Sequence, residues 1–227
     1  MMLTVTTGVV ALLASTIVAA GIPEAASSAA VPPMIVTVIS SADMPPRLVA
    51  AVLAEADEIW RSAGVSFVWR RVAPITPAPQ SVERDPYLSN TLRITIGNAH
   101  GAGRGDGLLP LGWIVFDDVR VPEQEIYLSH ANAQALMESA SAVVGVINQM
   151  PPSQRDTLMG RAMGRALAHE IGHYLLASKS HTDRGLMKAV LTAVELFQPG
   201  NSTFRIEPAQ RRVVAARLRG EPLVASR

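Results

Sequence analysis

The sequence predicts an α+β domain: a mixed, twisted sheet with a crossover helix, then a mostly helical C-terminal part built around one long helix. Three observations predict it. A β-branched run, an amphipathic stretch and a second β-branched run follow one another between residues 34 and 72, the order of a crossover unit. Short strand-like segments recur as far as residue 129. Beyond it, the apolar spacing becomes helical.

Taken in order, Met34 to Ser40 (MIVTVIS) reads as the first strand. Pro45-Pro46 opens a helix to about Ala63, with Leu48, Val49, Val52, Leu53, Ala56, Ile59 and Trp60 on one face, and Gly64 ends it. Val65 to Val72 is a second strand, and the alternation in Thr91 to Ile96 (TLRITI) marks a third. Trp113 to Phe116 and Glu125 to Ser129 are two more. Helices are predicted at about 131–149, 154–177 and 208–219. Pro151-Pro152 blocks any earlier start of the long helix, and Ser153 with Asp156 reads as a capping pair at its head. Gly160, Gly164, Ala168 and Gly172 recur every four residues along it. Each glycine costs about 1 kcal/mol in a helix interior, so this ridge implies close packing against a neighbouring element.

Residues 1–20 carry no charged side chain, and Val18-Ala19-Ala20 has the small-residue spacing of a signal-peptidase site. They read as a signal peptide or, since about 20 apolar residues can span a bilayer, as an uncleaved membrane anchor. Either predicts export. Residues 21–33 read as an Ala/Ser/Pro linker, and 34–220 as a single domain. The stretch 73–86, with four prolines, reads as a surface loop, and the glycines at 101, 103, 105 and 107 as another. The latter only superficially resembles a phosphate-binding loop, because no Lys is present and a strand rather than a helix follows.

Composition removes several function classes. Of 227 residues, 48% are hydrophobic and 17% charged, against a usual charged share of about 25%, which excludes a disordered solvating chain. The net charge of +1 and the 4% aromatic content argue against a nucleic-acid partner. The absence of cysteine excludes disulfides, thiolate metal sites and a cysteine nucleophile.

The chemistry is concentrated in LAHEIGHYLLASKSHTDRGLM, residues 167–187. His169 and His173 stand four apart on a predicted helix, so both imidazoles lie on one face and can converge on a small cation. Glu170 between them is turned off the ligand face and can take a proton from a water on the metal. A catalytic zinc site usually has three protein ligands. His181, eight residues after His173, is the natural third. Because a continuing helix would carry it about 12 Å further along, the chain must leave the helix near Ala177 to Lys179 and fold back. Arg161 and Arg165 share the histidines' face and read as solvated or salt-bridged; Tyr174, off that face, reads as packing. His100 and His130 read as surface residues rather than ligands.

This stretch resembles the metzincin zinc metallopeptidases, whose signature is HExxHxxGxxH followed by a methionine-containing turn. His169, Glu170 and His173 match the helical part, His181 the third ligand in role, and Met187 the turn. The chain departs where the signature has Gly, at Leu176, and where it has the third His, at Lys179. Asp183 and Glu195 compete for the third position, the latter as in the other large HExxH class, whose third ligand is a Glu on a following helix. The resemblance implies a Zn2+ cofactor held by His169, His173 and His181, Glu170 as general base, and a peptide or protein substrate. That substrate would be aligned by strand addition to an edge strand, 125–129 or 113–116. The alternatives are a non-peptide amide hydrolase on the same scaffold, or a non-catalytic zinc-containing binding domain.

Overall fold

The computed structural model describes residues 31–72, 92–100, 110–118 and 121–221. The expected signal or anchor, the linker apart from its last three residues, the Pro-rich stretch and the four-glycine loop lie outside the described residues. Five strands form one sheet: β1 (Met34–Ser40), β2 (Phe67–Val72), β3 (Leu92–Gly97), β4 (Gly112–Asp118) and β5 (Val121–Ser129). Their order is β2-β1-β3-β5-β4, with β4 antiparallel to β5 and the other pairs parallel. This is the mixed α+β sheet read from the sequence. Among the described residues β5 is internal and β4 is an edge, so of the two candidate edge strands it is the segment 113–116 that has an open side.

Helix α1 (Pro46–Arg61) connects the parallel strands β1 and β2. Its predicted apolar positions are all buried, and Gly64 takes a positive φ of 82° just beyond it. One face of the sheet supplies Val36, Val38, Leu92, Ile94, Ile96, Ile126 and Leu128 to the same core. The alternation is clean in β1 and β3 because only one side of each is buried against helices.

The long helix α4 (Pro152–Leu176) lies against α1, β4 and β5. The small-residue ridge does what its spacing implies. A Cβ on Gly160 would stand 2.6 Å from Ala51 Cβ, and one on Gly164 would stand 2.7 Å from the Val52 carbonyl oxygen. The two helices therefore meet backbone to backbone. Trp60 of α1, fully buried, donates from its indole nitrogen to the Ala168 carbonyl at 3.0 Å, pinning the helices beside the histidines. The expected capping pair at the head of α4 is not formed. The helix begins at Pro152, two residues before a Ser153 cap would start it, no side chain caps it, and Asp156 pairs with Arg47 of α1 instead. Proline at the first helical position needs no cap for its missing N–H.

The region predicted as one helix at 131–149 is broken into α2 (His130–Ser139), α3 (Ser141–Val144) and a 3-10 turn at Ile147–Gln149. Gly145, at φ 91°, ends α3, and a helical periodicity cannot register such a turn. Beyond α4 come a short α5 (Ala193–Phe197) and α6 (Pro208–Leu218). No helix among the described residues is long and apolar enough to cross a membrane.

Arg165 ties these parts together. It is 0% exposed, and its guanidinium donates to Glu55 of α1 at 2.7 Å and to the Glu195 and Gly200 carbonyls at 2.6 Å each. It also lies over the Phe204 ring. The salt-bridged reading of Arg165 is therefore realised, but in the core. Arg161 donates to the Phe197 carbonyl. Tyr174 packs as expected, and burial raises its phenol pKa, against the opposing effect of Arg217 over its ring.

Candidate metal centre

His169 and His173 project from one face of α4, both buried, with their Nε2 atoms 3.0 Å apart. Each ring is held by its other nitrogen. His169 Nδ1 is 2.8 Å from the Leu186 carbonyl oxygen, and His173 Nδ1 is 2.7 Å from that of Ser178. A carbonyl only accepts, so each Nδ1 carries the proton and donates. Both Nε2 lone pairs are then directed into the same small space. Two lone pairs at 3.0 Å repel one another unless a cation stands between them. Nitrogens bound at 2.0–2.1 Å to one tetrahedral zinc are about 3.3 Å apart, close to this separation.

The third imidazole is His181. Its ring centroid is 5.3 Å from that of His169 and 4.8 Å from that of His173. One nitrogen from each ring falls within a set whose members all lie within 4.8 Å of one another. It is the single group among the described residues that offers three such donors. Three imidazoles, two with backbone-oriented tautomers, suit zinc or another borderline divalent ion.

The return of the chain to the helix is made by a Schellman-type ending. Leu176 is still helical, and Ala177 adopts the left-handed conformation at φ 46°, ψ 46°. The Ala177 N–H donates to the Tyr174 carbonyl and the Ser178 N–H to that of His173. The Ser178 hydroxyl then accepts from the Ser180 N–H. Thus the turn comes one residue later than the signature glycine position, and His181 rather than Lys179 arrives beside the helix.

Met187 enters from below. It is buried, and its Sδ occupies the place a Cβ of Gly172 would take. The segment before it is fixed by Thr182 N–H to the Met187 carbonyl at 2.8 Å and by Leu186 N–H to the Arg205 carbonyl at 3.1 Å. One short segment therefore supplies both the sulfur beneath the helix and the carbonyl that orients His169.

The competing ligands are placed elsewhere. Glu195 bonds Lys188 through both carboxylate oxygens, at 2.7 and 3.0 Å, and closes a capping box with Thr192 at the head of α5. The Lys188 ammonium and the Thr192 N–H hold its carboxyl below the usual range. The helix that carries it, α5, has only five residues. Asp183 is exposed and is not in the three-donor group. His100 meets Asn132 and His130 meets Asn98, both away from the cluster.

The histidines lie in a cleft of about 670 Å³ that also takes in Glu170, strand β4 and the segment 188–191. Gly112, at the start of β4, faces Glu170: a Cβ there would stand 3.3 Å from Glu170 Cγ. Leu111, Leu136, Leu191 and Leu196 line the apolar part of the cleft. Sequence reasoning missed the contributions of Leu186, Ser178 and Gly112, which act through backbone atoms or through the lack of a side chain. The one usable signal was that Leu186 adjoins the singled-out Met187. Comparison with protein-family models and with curated proteins finds no match.

Proposed function

We propose that the protein is an exported zinc-dependent peptidase of the metzincin type, with His169, His173 and His181 as the zinc ligands and Glu170 as the general base. The observation that carries this reading is the convergence of three imidazoles on one side of a cleft whose wall includes the antiparallel edge strand β4, with Glu170 in the same cleft. Zinc, when bound, supplies a Lewis acid for the scissile carbonyl and lowers the pKa of water. Glu170 is about 100° around the helix from His169. Its carboxylate takes a proton from the attacking water and passes it to the leaving amine nitrogen. The open side of β4 offers N–H and C=O groups at strand spacing, so an extended peptide binds there by adding a strand. The leucines of the cleft bury an apolar side chain of the substrate and keep water from the reacting carbonyl.

Metal analysis of the purified protein, alongside cleavage of a peptide panel with and without a chelator, tests this. Zinc in the protein and chelator-sensitive cleavage are expected. Undiminished cleavage by metal-stripped protein sinks the reading, and cleavage of non-peptide amides alone transfers the site to a different hydrolase. Export rests on the uncharged apolar start of the chain. N-terminal sequencing should begin near Gly21, whereas an intact Met1 on cytoplasmic protein defeats that part.

A further inference from the structure

The cleft carries an imbalance of charge. Among the described residues, and besides the three histidines, the ionisable side chains lining it are Lys179, Lys188 and one carboxylate, that of Glu170. Lys188 is committed to Glu195 through two bonds. Lys179 is exposed, and among the described residues no carboxylate pairs with it. Its ammonium stands 5.1 Å from the centre of the Phe116 ring. Phe116 belongs to β4, whereas Lys179 belongs to the turn that returns His181. The contact therefore spans from the metal-ligand turn to the edge strand, and the cation–π attraction holds the charge where a bound chain would pass. Asp117 and Asp118 follow Phe116 on β4, but neither lines the cleft.

We propose that Lys179 is a specificity-determining residue that selects a substrate bearing an acidic side chain at the Phe116 end of the cleft. This rests on the peptidase reading for what the substrate is. Substrate carboxylate and Lys179 ammonium form an ion pair at a partly solvated rim, where such a pair contributes up to about 1 kcal/mol, a factor of about five in affinity. Phe116 limits the wandering of the lysine side chain and so lowers the entropy lost on pairing.

The test uses full-length, zinc-loaded protein carrying Glu170→Gln, so that binding is read without turnover. Dissociation constants are measured for hexapeptide twins that differ by Glu against Gln at one position in turn. At one position the Glu peptide should bind about fivefold more tightly than its twin, and the preference should shrink as salt is raised. Adding Lys179→Glu should reverse it in favour of a Lys peptide at that position, with zinc content unchanged. Equal affinities for all twins, or a Glu preference that survives Lys179→Glu, overturns the proposal. Hydrolysis of the same peptides by protein with Glu170 intact is scored separately. No hydrolysis there counts against the peptidase reading, while the binding comparison still decides the role of Lys179.

Discussion

Met187 lies directly beneath Gly172, with its sulfur in the space that any side chain at position 172 would need. Gly172 is the residue before His173, and Met187 follows the carbonyl that orients His169. Packing and imidazole orientation therefore meet in one contact. Trp60 closes the same place from α1: a Cβ at position 172 would be 3.7 Å from its ring.

Gly172→Ala would force Met187 aside. Overpacking of this kind costs about 1–3 kcal/mol, which over most of that range exceeds the ~1 kcal/mol gained in helix propensity. The variant should unfold at lower denaturant, and weaker zinc binding in it would show that the strain reaches the neighbouring Leu186 carbonyl. Met187→Leu, which nearly conserves volume, should cost less than about 1.5 kcal/mol. Urea unfolding with a parallel zinc titration checks both. Wild-type stability in Gly172→Ala would mean that the contact is not tight.

His169→Ala, His173→Ala and His181→Ala should each lower zinc occupancy, because each removes one of the three converging nitrogens. Asp183→Ala should retain the metal. Metal content after gel filtration is the readout, and zinc retained in His181→Ala would exclude that residue as a ligand.

Glu195→Gln should keep zinc but change the pH dependence of stability. The Glu195 pKa is lowered in the folded protein. Its stabilising contribution is therefore present above the ordinary carboxylate range and is lost as pH falls through the lower, folded value. The wild-type advantage over Glu195→Gln should be constant near neutrality and disappear in acid. The group is partly exposed, so the advantage is small. An advantage that grows on acidification would contradict the sign.

Glu170→Gln keeps size and hydrogen bonding but removes the basic carboxylate. Zinc content should stay near wild type while turnover falls by roughly two to four orders of magnitude. Undiminished turnover would end the general-base assignment even with the metal in place.

Ala177 holds a left-handed backbone at φ 46° with a Cβ. That conformation costs a non-glycine residue roughly 1–2 kcal/mol, so Ala177→Gly should stabilise the protein by about 1 kcal/mol after allowing for the greater freedom of glycine when unfolded. A rise in the urea midpoint with zinc affinity preserved is the expected result. A fall would show that the turn depends on the methyl group.

The sequence by itself determined what depends on local spacing. Apolar period placed α1 and the long helix α4, alternation placed β3, and the four-residue separation of His169 and His173 put both imidazoles on one face. The recurring small residues of α4 announced a close helical neighbour, and α1 is that neighbour. Tertiary structure alone decided the rest, because it depends on groups far apart in the chain or without a side-chain signature. Of His181, Asp183 and Glu195, it is His181 that a left-handed turn at an alanine brings back beside the helix histidines, while Lys188 and Thr192 engage Glu195. That β4 is the edge follows from strand order, which periodicity along a single strand cannot encode. The orientation of both buried imidazoles comes from the carbonyls of Leu186 and Ser178. Every residue has a carbonyl, so only the folded path of the chain selects which two face the rings.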